Sequence, residues 1–139
     1  MATEYFNELI DTVNRTCTSL TNSKITVVGH FAFGSCNKLV SVSLPNATTI
    51  GDNSFYYCTK LATVSLPKVI NIGSRTFYYC TQLKSISLPE AINLGAGTFS
   101  GCKNLTEIHF SLKNKEAIEK LNDFNSKFGA TNATIYFDL

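Results

Sequence analysis

The chain has 139 residues, of which 44% are hydrophobic, and twelve Lys and Arg against ten Asp and Glu give a formal net charge of +2. This is enough for one domain with a packed core, and the absence of any run of like charge argues against a nucleic-acid partner. No apolar stretch approaches the ~20 residues of a membrane span, so we expect no membrane insertion. The acidic, amphipathic N-terminus also lacks the basic-then-apolar pattern of a signal peptide.

The first predicted element is an N-terminal helix. Apolar residues recur at the three-to-four spacing of an amphipathic helix, and Thr3 is a plausible N-cap. The residues on this apolar side are Phe6, Leu9, Ile10, Val13 and Cys17. We expect the helix to cover the first coil of a repeat region that begins at residue 23, with residues 1–22 as an N-terminal cap.

A repeat of 22 residues governs the chain from residue 23 to residue 110. Each set of residues at equivalent positions of successive repeats forms a column, and the Cys column is Cys36, Cys58, Cys80 and Cys102. The apolar columns are Phe33, Phe55, Phe77 and Phe99; Leu39, Leu61, Leu83 and Leu105; Val42, Val64, Ile86 and Ile108; and Leu44, Leu66, Leu88 and Phe110. A Pro column (Pro45, Pro67, Pro89) and a Gly column (Gly51, Gly73, Gly95) complete the set. This self-similarity predicts a repeat architecture.

Each repeat predicts one short strand. Val42 and Leu44 are two residues apart and share one face, while Ser41 and Ser43 point to the other face. About a dozen and a half residues join consecutive strands, which allows one tight coil and makes the strands parallel. A single coil cannot bury its apolar face, so the coils must stack and be capped at both ends. One period earlier, residues 17–22 fit the pattern as a degenerate first strand.

Residues 111–139 are predicted to form a C-terminal cap of one helix and one strand. In the helix Ala117, Ile118, Leu121 and Phe124 share a side, and Gly129 is a reasonable stop. In the strand Ile135, Phe137 and Leu139 alternate inward, and Thr134, Tyr136 and Asp138 alternate outward. Residues 1–139 thus form a single α/β domain: a parallel-sheet solenoid with the repeats at 23–110.

The columns resemble leucine-rich repeats of the BspA type, whose pattern is F-x-x-C-x-x-L-x-x-V-x-L-P followed by I-G. The resemblance covers roughly residues 25 to 110, and Cys, Pro and Gly all fall in the expected columns. It implies a right-handed leucine-rich-repeat solenoid with one parallel sheet. It also implies a place on a bacterial or protist surface or in a phage tail, where such modules are regarded as adhesion or recognition elements.

The five cysteines and two histidines do not predict chemistry. Four column positions spaced by about 4.8 Å span about 14 Å, whereas the ligands of one zinc lie within about 4 Å of one another. Stacked equivalent side chains also point side by side, so we predict buried free thiols rather than disulfides. His30 and His109 belong to no catalytic motif. We therefore expect no enzyme activity, no metal and no cofactor.

Two tyrosine pairs are the first candidate ligand-binding residues. Tyr56 and Tyr57 precede one column cysteine, and Tyr78 and Tyr79 precede the next. The equivalent positions in other repeats hold Gly and Ser, so the core does not require aromatic residues there. Tyrosine is enriched in binding interfaces. The alternative is that aromatic residues are simply ordinary at these turns, as they are in the resembling family.

The outward face of the predicted sheet supplies the second candidate. Its two columns are Ser19, Ser41, Thr63, Ser85 and Glu107, and Thr21, Ser43, Ser65, Ser87 and His109. Such hydroxyl groups suit an exposed sheet, and also weak recognition of glycans or extended polypeptide. At the C-terminal end we expect Glu107, His109, Tyr136 and Asp138 to be neighbours that bind a ligand. Alternatively, they only stabilise the last strand.

The favoured function is a non-catalytic recognition module for a cell-surface protein or glycan, either adhesin-like or in a phage tail. The resemblance accordingly favours an extracellular, cell-surface or virion location. The alternative is a structural spacer or assembly subunit without its own ligand, in which the caps or turns make subunit contacts. Self-association is then possible.

Overall fold

A computed structural model describes residues 4–5, 17–121 and 128–139. The strands are β1 (Glu4–Tyr5), β2 (Ser19–Thr21), β3 (Val27–Val28), β4 (Ser41–Ser43), β5 (Thr49–Ile50), β6 (Thr63–Ser65), β7 (Asn71–Ile72), β8 (Ser85–Leu88), β9 (Asn93–Leu94), β10 (Glu107–Ser111) and β11 (Thr134–Asp138). A short 3-10 helix η1 (Leu112–Asn114) leads into helix α1 (Lys115–Glu119). Neither is a long apolar helix of the kind that crosses a membrane, and the other described residues hold none.

The strands form two parallel sheets that run along the solenoid. The six-stranded sheet has the order β11-β10-β8-β6-β4-β2. Its strands β4, β6, β8 and β10 are those predicted from the V-x-L phrase. The five-stranded sheet has the order β1-β3-β5-β7-β9 and consists of two-residue strands before the Gly column. The solenoid fold is thus confirmed, and the second sheet is an addition to it. Two residues are too short to show an alternating pattern, which is why the sequence predicted one sheet only.

The core between the two sheets is built from the predicted columns. Phe33, Phe55, Phe77 and Phe99 are fully buried, and consecutive rings stack with centroids 5.4–5.8 Å apart and planes within 9°. Parallel stacking results from the repeat, because equivalent side chains in adjacent coils adopt the same rotamer. Each ring therefore contributes to two coil-to-coil interfaces.

The column cysteines are buried free thiols, as predicted. The Sγ of Cys58 donates to the carbonyl of Phe33 at 3.1 Å, and Cys102 donates to Phe77 at 2.9 Å. The pKa of Cys80 lies well above its usual value; burial is the largest cause, and the neighbouring Cys102 thiol raises the pKa further. These cysteines are small core residues that also satisfy a carbonyl of the preceding coil.

At the N-terminal end the prediction holds in part. β2 pairs with β4, which confirms that residues 17–22 contain a degenerate first strand. Glu4 and Tyr5 pair with Val27 and Val28, so the predicted helix cannot begin after a cap at Thr3. The remainder of that helix lies outside the described residues.

At the C-terminal end the predicted helix and strand are both present. Ile118 of α1 is buried and Leu121 packs against the core, whereas Phe124 lies outside the described residues. Gly129 has a left-handed backbone with φ +74°. β11 extends the sheet beside β10 and half-buries Ile135 and Phe137.

The inward orientation predicted for Leu139 is wrong. Leu139 is fully exposed, because it lies one residue beyond Asp138, the last residue of β11 that has a partner in β10. Without a neighbouring strand, the alternation of the strand does not place its side chain against the core.

Candidate recognition surface

Tyr56, Tyr57, Tyr78 and Tyr79 form one packed cluster, here called the tyrosine array. Tyr56 stacks on Tyr78 with centroids 5.3 Å apart, and Tyr57 stacks on Tyr79 at 5.1 Å, with planes within 6° in both pairs. Edge-to-face contacts of 4.5–5.7 Å join the two stacks. The structure therefore brings together all four tyrosines that the sequence singled out.

The outer stack of the tyrosine array is the exposed one. Tyr57 and Tyr79 are 37% and 40% exposed, while Tyr56 and Tyr78 are half-buried beneath them. Outward aromatic rings on two adjacent coils make a contiguous apolar patch with phenol hydroxyl groups, the composition typical of a binding interface.

The backbone beneath the outer stack is left-handed. Tyr57 and Tyr79 have φ values of +56° and +58°, as does Ser35 (+59°) one coil earlier. A non-glycine residue in this region costs roughly 1–2 kcal/mol. Coil-to-coil hydrogen bonds hold the conformation: Tyr57 N–H donates to the Tyr78 carbonyl, and Tyr79 N–H to the Ser100 carbonyl, both at 2.8 Å. The exposed rings are thus fixed by the solenoid backbone.

Two residues that sequence reasoning missed extend the tyrosine array. The ring of Phe31, 44% exposed, meets the ring of Tyr56 edge-on at 6.2 Å. The Arg75 guanidinium lies 5.8 Å from the centre of the Tyr78 ring, within cation–π range. Phe31 and Arg75 occupy the same column, which also has a positive φ. Asn53 and Gly97 in that column are the sequence signals of a left-handed turn there, because Asn tolerates positive φ well and Gly adopts it freely.

Three of the four ring faces in the outer stack of the tyrosine array are covered. One face of Tyr79 is stacked on Tyr57, and the Gly101 backbone of the next coil lies against the ring, since a Cβ there would come within 2.6 Å of it. The pKa of Tyr57 is raised, first by loss of hydration and then by the neighbouring phenols. The hydroxyl group of Tyr57 therefore remains a hydrogen-bond donor at neutral pH.

The second candidate group, at the end of the six-stranded sheet, is here called the β10–β11 cluster: Glu107, His109, Tyr136 and Asp138. His109 Nε2 lies 3.0 Å from Glu107 Oε1, and Nδ1 lies 2.8 Å from Asp138 Oδ2. The His109 ring stacks on Tyr136 with centroids 4.7 Å apart. The prediction that these four residues are neighbours is confirmed, whereas their binding role is not tested by this geometry.

The surroundings of His109 in the β10–β11 cluster favour its protonated form. The hydrogen bond to Glu107 is the largest influence raising the pKa of His109; partial burial opposes it, and Asp138 adds to it. The imidazolium form donates from both nitrogens, to Glu107 within β10 and to Asp138 across to β11. The neutral form can donate to one carboxylate only.

From this we predict that β10–β11 pairing weakens as the pH rises. Because the folded pKa of His109 lies above the unfolded value, its stabilisation is fully present below about pH 6.5 and is lost as the pH rises through the folded pKa. The effect should not exceed about 1 kcal/mol, since both carboxylates are substantially exposed. Urea unfolding of the wild type and of His109→Gln at pH 5.5 and pH 8.5 measures it. A stability difference between the two proteins that does not shrink at the higher pH would contradict the prediction.

The two candidate groups occupy different parts of the coil. The tyrosine array lies on the turns before the Cys column, and the β10–β11 cluster lies on the outward face of the six-stranded sheet. Within the described residues, no group of three or more His, Cys, Asp or Glu side chains is placed to hold a metal ion. What the surface offers is therefore contact area and hydrogen bonds.

Comparison with known proteins agrees with this geometry. The profile of the family described as BspA type Leucine rich repeat region matches six copies across residues 11–127. No curated protein gives a significant match. A leucine-rich repeat protein from Bacteroides ovatus ATCC 8483 has a similar solved structure, with a TM-score of 0.67 and 26% identity, over 86% of this chain and 37% of that one.

Two further solved structures share the fold. A leucine rich cell surface protein from Faecalibacterium prausnitzii A2-165 has a TM-score of 0.70 at 23% identity, over 86% of this chain and 32% of that one. A leucine rich repeat protein from T. pallidum has a TM-score of 0.60 at 21% identity, over 99% of this chain and 74% of that one. The chain thus spans about a third of the length of the first two relatives. Since the family profile matches most of its residues, the chain belongs to the BspA-type leucine-rich repeat family.

Proposed function

We propose that this chain is a non-catalytic recognition module that binds a partner on a cell surface through the tyrosine array. One observation carries the proposal: exposed Tyr57 and Tyr79 are held on left-handed backbone at positions where other coils have Ser35 and Gly101. The left-handed turn recurs at Ser35 and Gly101, so what distinguishes these two coils is the exposed aromatic ring, a residue type enriched in binding interfaces. Because the rings are already fixed, a partner would bind without the entropic cost of ordering them.

A protein is the partner we favour over a glycan. Sugars pack on the open faces of aromatic rings, whereas Tyr57 and Tyr79 each cover one face of the other and Gly101 lies against the second face of Tyr79. Ring edges, phenol hydroxyl groups and the nearby Arg75 suit the carbonyl and carboxylate groups of a polypeptide. The Faecalibacterium prausnitzii relative is described as a cell surface protein. We propose a similar location here, with a phage tail as the other setting that fits a receptor-binding module.

The test is a binding screen of the labelled chain against intact bacterial and host cells, their surface proteins and a glycan array. In the variant Tyr57→Ser with Tyr79→Gly, each tyrosine is replaced by the residue that another coil has in that column. We expect binding to fall at least about tenfold, as for the loss of interface anchors. The free energy of unfolding should change by less than about 1 kcal/mol, because glycine at position 79 relieves backbone strain there and Ser35 shows that the same turn accepts serine.

A matched control is Ile70→Ser with Ile92→Ser. Ile70 and Ile92 are exposed to a similar extent, 36% and 37%, in one column at the other sheet. Equal losses of binding in both double variants would mean that the tyrosine array is not the site. The pair His109→Ala with Asp138→Ala tests the β10–β11 cluster as a second contact in the same screen.

A structural role is the alternative outcome. A folded chain that binds no cell, surface protein or glycan in this screen would contradict the recognition proposal. It would leave the chain as a structural spacer or assembly subunit without its own ligand.

A further inference from the structure

The edge of β11 that faces away from β10 has no neighbouring strand among the described residues. β11 is the last strand of the six-stranded sheet, and its partner among the described residues is β10. The N–H of Thr134 donates to the Thr106 carbonyl on the β10 side at 2.8 Å. Because hydrogen bonding alternates along a parallel strand, the N–H and C=O groups of Ile135 and Phe137 point to the other edge.

This edge has few of the usual devices that prevent edge-to-edge pairing, and its one charged side chain, Asp138, is hydrogen-bonded to His109 within the sheet. Natural edge strands are protected by Lys, Pro, bulges or very short length. β11 is five residues long, has the sequence TIYFD and contains neither Lys nor Pro. Its apolar side chains are incompletely covered: Ile135 and Phe137 are half-buried, and Leu139, directly after β11, is fully exposed.

The order of residue types in β11 is symmetric about Tyr136. The strand reads polar, apolar, Tyr, apolar, polar. If β11 of a second molecule runs antiparallel to it and is centred on Tyr136, every residue lies opposite a residue of the same type. Ile135 then lies opposite Phe137 of the second copy, and Thr134 lies opposite Asp138. No like charges meet, the hydroxyl group can donate to the carboxylate, and the apolar pairs are of the kind that stabilises sheets. Ile135 and Phe137, whose polar groups face the edge, fall in the hydrogen-bonded pairs.

We propose that the chain forms a symmetric dimer in which two β11 strands pair antiparallel about Tyr136. The two six-stranded sheets then join into one twelve-stranded sheet, and Leu139 of each copy covers the apolar side of the other. A two-fold arrangement closes on itself, so it ends at a dimer rather than a filament. One strand pair is smaller than a standard interface, so the dimer is weak and forms between about 10 µM and 1 mM protein.

The dimer is independent of the tyrosine array. Tyr57→Ser with Tyr79→Gly should dimerise like the wild type, so failure of one proposal leaves the other intact.

Sedimentation velocity over that concentration range tests the dimer. Tyr136→Lys and Tyr136→Glu each place like charges directly opposite at the two-fold axis, and we expect each to weaken association at least tenfold. An equal mixture of the two should regain it, because Lys then faces Glu. Thr63→Lys is the matched control: an exposed outward residue of β6, inside the sheet, that should associate like the wild type.

Amide hydrogen exchange of the wild-type chain provides a second readout that needs no variant. The N–H groups of Ile135 and Phe137 should exchange more slowly at about 1 mM than at about 10 µM protein, whereas that of Thr134, already bonded to β10, should not change. A wild type that stays monomeric up to about 1 mM overturns the proposal and leaves the edge to a strand of another protein. Unchanged association of both Tyr136 variants overturns the pairing register, and with it the proposal.

Discussion

Replacing Phe77 with alanine is expected to lower the free energy of unfolding by about 3–5 kcal/mol. Phe77 is fully buried, and its ring stacks on Phe55 at 5.6 Å and on Phe99 at 5.8 Å. Removal of the ring opens a cavity that faces two neighbouring coils at once, and the rigid repeat limits how far either can move to fill it. Urea denaturation followed by far-UV circular dichroism measures the loss.

Phe31→Ala is the control for this substitution. Phe31 is 44% exposed and its ring meets that of Tyr56 edge-on, so its removal should cost less than about 1 kcal/mol. Equal losses for the two substitutions would mean that the phenylalanine column does not hold the coils together.

Gly73→Ala is expected to destabilise the chain by about 1–3 kcal/mol or more, although it adds a single methyl group. A Cβ at this position would lie 2.6 Å from the Asp52 backbone nitrogen and 2.8 Å from the Gly51 carbonyl carbon. Those atoms belong to the preceding coil, to which Gly73 N–H is also bonded through the Ile50 carbonyl at 2.8 Å. Relief of the clash therefore requires the two coils to separate at the five-stranded sheet. A thermal melt measures the loss as a lower midpoint.

Gly34→Ala is the matched control. A Cβ at Gly34 would lie 3.3 Å from the Phe31 carbonyl oxygen and 3.5 Å from the Asn53 carbonyl oxygen, which is close to ordinary contact. We expect a smaller loss, under about 1 kcal/mol. If Gly34→Ala proved as damaging as Gly73→Ala, the close approach of coils would not be the reason for the Gly column.

The same coil-to-coil bonds support both the fold and the proposed binding surface. The N–H groups that fix Tyr57 and Tyr79 on left-handed backbone donate to carbonyls 21 residues further along the chain, in the next coil. Loosening of the coils by Gly73→Ala or Phe77→Ala should therefore also disorder the tyrosine array. This is why the binding test substitutes the exposed side chains and leaves the glycine and phenylalanine columns unchanged.

The sequence by itself determined the repeat, the strands of the larger sheet and most of the core. A residue such as Phe77 or Cys80 recurs every 22 positions, and stacking is the arrangement that buries all members of a column together. Apolar Val42 and Leu44 alternate with polar Ser41 and Ser43. Because successive side chains of a strand point to opposite faces, this alternation determines which face is inward. The same rule placed Glu107, His109 and Tyr136 side by side.

Only the tertiary structure decided how the exposed residues are presented. Ser35, Tyr57 and Gly101 share a left-handed turn, which a sequence with such different residues in one column does not predict. The two-residue strands of the second sheet form because the adjacent coil offers hydrogen-bond partners, not because of a local pattern. Leu139 is exposed because alternation places a side chain against the core only where a neighbouring strand is present. In each case the deciding contact is made by another coil or strand, far away in sequence.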